Sequence, residues 1–103
     1  MISDEQLARN FRALSHPRRA MVFRLIVKDP QVAQTLDRLI AATRLRPSSL
    51  VHHLREMERC GLIRRQRRGP EVAYRLAPNE LTRALATALR MSEAVHARPV
   101  RAA

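Results

Sequence analysis

The sequence predicts a small, mainly α-helical fold of about five helices with one two-stranded β-hairpin placed before the last helix. Three observations carry this. Apolar residues recur at spacings of three and four through most of the chain, six prolines and two glycines punctuate those segments, and residues 62–76 break into short extended runs instead. Length agrees: 103 residues leave room for a single domain spanning residues 1–103 and exclude a multidomain enzyme. With 46% of residues hydrophobic but 3% aromatic, the core must be built from Leu, Val, Ile, Ala and Met.

Ser3-Asp4-Glu5-Gln6 has the form of a capping box and opens a first helix with Leu7, Phe11 and Leu14 on one face, ending at Ser15-His16-Pro17. Pro17 suits the first turn of a second helix, where Ala20, Phe23 and Val27, flanked by Val22 and Ile26, form a broad apolar face up to Asp29-Pro30. Thr35 can cap a short third helix to about Thr43, with Leu36, Leu39 and Ile40 inward. The turn Arg44-Leu45-Arg46 then leads to Pro47 as the start of a fourth helix, a helix-turn-helix outline. That helix places Leu50, Leu54 and Met57 on a buried stripe, and Gly61 supplies its left-handed cap. Its opposite face carries Ser48, Ser49, His52 and Arg55.

The hairpin runs from Leu62 to Arg67, turns at Arg68-Gly69-Pro70, and returns from Val72 to Leu76 with Val72, Tyr74 and Leu76 on one side. Asn79 caps a last helix that aligns Leu81, Leu85, Ala88, Ser92 and Val95 over about four turns. Residues 97–103 read as a frayed tail. The last helix, with Ala84, Ala86, Ala88 and Ala94, can approach another helix closely, so residues 79–96 and 1–14 are the expected dimerisation segments. Leu7, Phe11, Leu81, Leu85, Ala88 and Val95 are the seam residues.

Charge narrows the function classes. The 20 Lys+Arg against 9 Asp+Glu give a formal net charge of +11, and all but Lys28 of the basic residues are arginine. Such a chain seeks polyanions. Ser48, Ser49, His52 and Arg55, on a helix that follows a helix-turn-helix turn, suit base edges: hydroxyl and imidazole donate or accept, and Arg forks onto guanine. Arg46 stands at the start of that helix. His53 lies at the margin of its buried stripe, between a DNA-contacting role and a role in holding the helix on its scaffold. Arg64, Arg65, Arg67 and Arg68 concentrate charge on a hairpin able to follow a groove or straddle phosphates.

Cys60, the single cysteine, can form neither an internal disulfide nor a thiolate cage and reads as a small buried thiol. Neither a signal peptide nor an apolar run of about 20 residues is present, so the expectation is a cytoplasmic protein with no membrane partner. No glycine-rich phosphate loop and no nucleophilic constellation stand out, and the expectation is a protein that is not an enzyme and uses no cofactor.

These pieces resemble the ArsR family of winged helix-turn-helix transcriptional regulators. The resemblance rests on Ala13-Leu14-Ser15-His16-Pro17-Arg18-Arg19, on residues 45–54 (LRPSSLVHHL), and on Cys60-Gly61-Leu62-Ile63 followed by Arg68-Gly69 and Tyr74-Arg75-Leu76. It covers roughly residues 7–90 and implies a homodimer on double-stranded DNA, with reading helices one duplex turn apart and repression as the polarity. The departures matter equally. Thr35 and Asp37 stand where metal-sensing members carry a Cys-Val-Cys pair, and neither supplies a soft thiolate. Of a second metal pattern only Glu93 and His96 remain, with Thr82 and Arg83 near the upstream positions, so no metal site is expected. Val51 replaces a serine common in the reading helix. The inducing signal is left open between an unidentified small molecule, a protein partner and the protein's own concentration. Two other readings stay open: a nucleoid or RNA-binding module without sequence choice, and an interaction adaptor that retains the fold alone.

Overall fold

The computed structural model describes residues 2–97. Helices α1 (Asp4–Leu14) and α2 (Pro17–Lys28) are followed by a short strand β1 (Gln34–Thr35), then α3 (Leu36–Thr43), α4 (Pro47–Arg59), strands β2 (Ile63–Arg68) and β3 (Glu71–Leu76), and α5 (Glu80–Ala97). The five helices and the hairpin fall where local sequence signals place them. The tail expected at 98–103 lies outside the described residues, and Ala97 closes α5.

Each boundary has a visible cause. Ser3 Oγ accepts from the Gln6 amide at 3.1 Å, Thr35 Oγ1 from Arg38 at 3.2 Å, and Asn79 Oδ1 from Thr82 at 2.9 Å, each satisfying an amide that the first helical turn leaves unpaired. The α2 cap is His16, whose Nδ1 accepts from the Arg18 amide at 3.1 Å. Gly61, at φ +78°, ends α4. Gly69 at φ +58° and Pro70 form the two-residue β2–β3 connection; positive then ring-fixed negative φ is the order of a type II′ turn, which matches the twist of the strands it joins.

The sheet keeps the expected two-stranded hairpin and adds a third, short strand to it. β1 pairs antiparallel with β3, so the order is β1-β3-β2 and β3 is central. Two residues have no periodicity of their own, and only the packing of α3 against β3 brings Gln34 opposite Tyr74. The core gathers Val22, Phe23, Ile26 and Val27 of α2, Leu39 of α3, Leu50, Leu54 and Met57 of α4, Leu62 of the turn that follows α4, and Ile63 and Tyr74 of the sheet. Cys60 is buried among them.

The α5 stripe divides. Thr82 and Ala86 are buried and Leu85 and Leu89 pack on the core, whereas Ala84, Ala88, Met91 and Val95 face outward. Leu85 is therefore partly an internal residue and not a pure seam residue. Met91 is 65% exposed and Val95 68%, and on α1 Leu7 and Phe11 are exposed too, Phe11 by 52%.

Candidate nucleic-acid interface

The turn between α3 and α4 is built from three residues. Arg44 takes a left-handed conformation at φ 57°, with its amide on the Ile40 carbonyl. Buried Thr43 donates its hydroxyl to the Leu39 carbonyl at 2.7 Å and accepts the Leu45 amide at 3.3 Å, so the chain reverses without an orphaned polar group. Arg46 and Pro47 then start α4, whose Leu50, Leu54 and Met57 are fully buried. That anchoring turns the other face outward: Ser48, His52 and Arg55 are exposed, and Ser49 and Val51 are half-buried.

His53 is not on that face. It is 8% exposed, its ring 4.7 Å from His16 and 5.7 Å from His52. Burial first, and then the positive neighbourhood of His16, Arg19, His52 and Arg18, lowers its pKa below the ordinary histidine value. Of the two roles open to His53, burial favours the scaffold one over direct contact with DNA: it sits beneath the polar face, beside His16 at the α1–α2 corner. The same packing brings exposed Arg18 and half-buried Arg19 toward the first half of α4, two cations that sequence reasoning had left in a motif without a role.

Strand alternation splits the four wing arginines. Arg65 and Arg67 stand opposite Tyr74 and Val72, on the sheet face that looks toward α4, while Arg64 and Arg68 stand opposite Arg75 and Glu71 on the reverse face. Between α4 and the hairpin lies a cleft of about 460 Å³ flanked by Arg55 and Arg65, with Val51, Glu58 and Tyr74 along its walls. Tyr74 is buried there, which raises its phenol pKa. Arg67 Nε donates to the Gly69 carbonyl at 3.4 Å, orienting that side chain along the turn.

Among the described residues the ion pairs are Arg24–Glu93 at 3.6 Å and Arg59–Glu56 at 2.7 Å. Arg46, Arg55, Arg65 and Arg67 take part in neither pair, and Glu58 is the one acid on the wall of the cleft that Arg55 and Arg65 flank. Thr35, aligned with a thiolate position of metal sensors, spends its side chain on capping α3. Among the described residues no three His, Cys, Asp or Glu side chains cluster in a way that could hold a metal ion, and no helix is long and apolar enough to cross a membrane.

No protein-family model matches the chain, and no curated protein matches it in sequence. Solved structures do. HlyU from Vibrio cholerae N16961 superimposes with a TM-score of 0.74 at 20% identity, over 84% of this chain and 89% of that one. The homodimeric winged helix-turn-helix DNA-binding domain of Mb0332 from Mycobacterium bovis, a possible ArsR-family transcriptional regulator, gives 0.73 at 24% identity, over 92% and 90%. The transcriptional repressor PagR of Bacillus anthracis gives 0.71 at 24% identity, over 82% and 93%. The fold is that of a winged helix-turn-helix domain, and the ArsR-type resemblance read from the residues has its counterpart among these structural neighbours.

Proposed function

We propose that this chain is a homodimeric, sequence-specific DNA-binding transcription regulator of the ArsR type, a repressor that occludes a palindromic promoter site, and not an enzyme. One observation carries the reading: Ser48, His52 and Arg55 project from a helix anchored behind a helix-turn-helix turn, with Arg65 and Arg67 beside them on the wing and none of these three arginines in an ion pair among the described residues. The helix offers donors and acceptors for base edges in the major groove; the arginines at the hairpin serve phosphates or the minor groove.

The dimer reading is supported by the outward row Ala84, Ala88, Met91 and Val95 on α5 together with Leu7 and Phe11 on α1, apolar surface that a second copy would cover. The homodimeric Mb0332 domain supports that assembly and the repressor PagR supports the polarity. A cytoplasmic location accords with this role. The deciding experiment is selection of bound sequences from random duplex DNA, followed by footprinting upstream of the protein's own gene. Enrichment of a palindrome whose half-sites lie about one helical turn apart supports the reading. Equal retention of all sequences, with steep salt dependence, would replace it with a nonspecific nucleic-acid binder.

A further inference from the structure

On the sheet face turned away from α4, β2, β3 and α5 enclose a cleft of about 380 Å³ lined by Arg64, Gln66, Arg75 and Arg83, with Pro30 and Pro78 among its apolar walls. Arg64 and Arg75 are cross-strand partners, so two like charges stand directly opposite, an arrangement that costs stability. Arg83 adds a third cation from the first turn of α5, where the helix dipole disfavours positive charge. No acid lines the cleft, and none of the three arginines is in an ion pair among the described residues. Arg75 Nε and Gln66 Oε1 are both shielded from solvent and have no hydrogen-bond partner. Three guanidinium groups along one cleft, one with an unsatisfied N–H, form a donor set suited to a multiply charged oxyanion.

We propose that this cleft binds a small phosphate-bearing anion. Two arginines on adjacent strands and a third from α5 line the space such a group would enter, and its charge would relieve the repulsion among the three cations. The cleft lies at the base of the hairpin whose opposite face carries Arg65 and Arg67, so occupancy would act on the wing from behind. That consequence rests on the DNA-binding reading; binding of the anion does not.

The test therefore uses the full chain without DNA. Pyrophosphate is titrated by calorimetry at constant ionic strength into the unmutated protein, R83Q and R67Q. Arg83 is exposed, so its replacement leaves the core untouched, and circular dichroism verifies that each variant is folded. The expected result is one site per chain, an affinity reduced about tenfold or more in R83Q, and a change of less than about twofold in R67Q, which removes an equal charge at the hairpin tip. R75Q, if folded, should match R83Q. Absence of saturable binding, or equal losses in R83Q and R67Q, overturns the proposal, because diffuse attraction to a basic chain would then account for everything. Unchanged pyrophosphate binding in R83Q combined with weaker, less salt-dependent binding to a random duplex also overturns it and gives the cleft to the DNA backbone. A failed DNA selection leaves this measurement intact.

Discussion

The rings of His16 and His53 lie 4.7 Å apart at 50°, joining the corner before α2 to the buried side of α4. His16 Nδ1 is committed as acceptor to the Arg18 amide, and His53 is buried beside it under the influence of Arg18, Arg19 and His52. The mounting of the candidate reading helix is thus a meeting of two imidazoles in a positively charged setting.

Acid should loosen that mounting. His53 has a lowered pKa in the fold, so as pH falls below the unfolded value of 6.5 the unfolded chain takes up the proton first. Its contribution is therefore fully present above that value and is lost as pH falls through the lower, folded value. Thermal unfolding of the unmutated protein and His53→Asn between about pH 7 and pH 5 checks this. The gap in Tm should narrow toward acid; a gap independent of pH would show that His53 is not the responsible group.

The α4–β2 turn should be intolerant of a side chain. Gly61 has φ +78°, and a Cβ there would come within 2.9 Å of Gln6 Nε2, which donates to the Cys60 carbonyl at 3.1 Å. Left-handed strain and the displaced hydrogen bond together put the cost of Gly61→Ala at about 1–3 kcal/mol. Urea unfolding measures it, with Gln6→Ala isolating the hydrogen-bond share; an unchanged midpoint in Gly61→Ala would contradict this account.

The outward face of α5 should govern assembly without governing the fold. Ala88→Arg or Met91→Arg places charge on exposed positions and is expected to give a folded monomer in sedimentation, with affinity for a two-half-site duplex reduced about a hundredfold or more. Leu85→Arg is the poorer probe, because Leu85 also packs on the core. A variant that stays dimeric would move the seam elsewhere.

Helix and wing should fail differently. His52→Ala or Ser49→Ala is expected to cost about 1–3 kcal/mol on the selected site and much less on random DNA, since base contacts carry sequence information. Arg67→Ala should weaken both alike and lower the slope of log affinity against log salt by about one for each phosphate the dimer ceases to neutralise. Arg64→Ala, on the reverse sheet face, should leave that slope nearly unchanged. Binding measured on both duplexes across a salt series separates these outcomes; an equal loss on both duplexes with His52→Ala would undo the proposed docking of α4.

What the sequence determined by itself is local. Ser3, Thr35 and Asn79 announce helix starts because a capping oxygen serves amides two or three residues away, and Gly61 announces a stop because few other residues adopt its φ cheaply. The stripe Leu50, Leu54, Met57 was legible for the same reason, and with it the outward face holding Ser48, His52 and Arg55. Tertiary structure decided everything that depends on what lies across from an element. Gln34-Thr35 became a strand only because β3 was there to pair with it. His53 went inside because α4 is covered on two sides, by the core and by His16. On α5, periodicity gave a row of small and apolar residues, but α2 and the core took Thr82, Leu85, Ala86 and Leu89 and left Ala84, Ala88, Met91 and Val95 outside. The run of wing arginines could be counted from the chain, yet the pleat sends neighbours to opposite faces, and only the packing of the sheet decides which face looks toward α4 and which encloses Arg64 and Arg75 with Arg83.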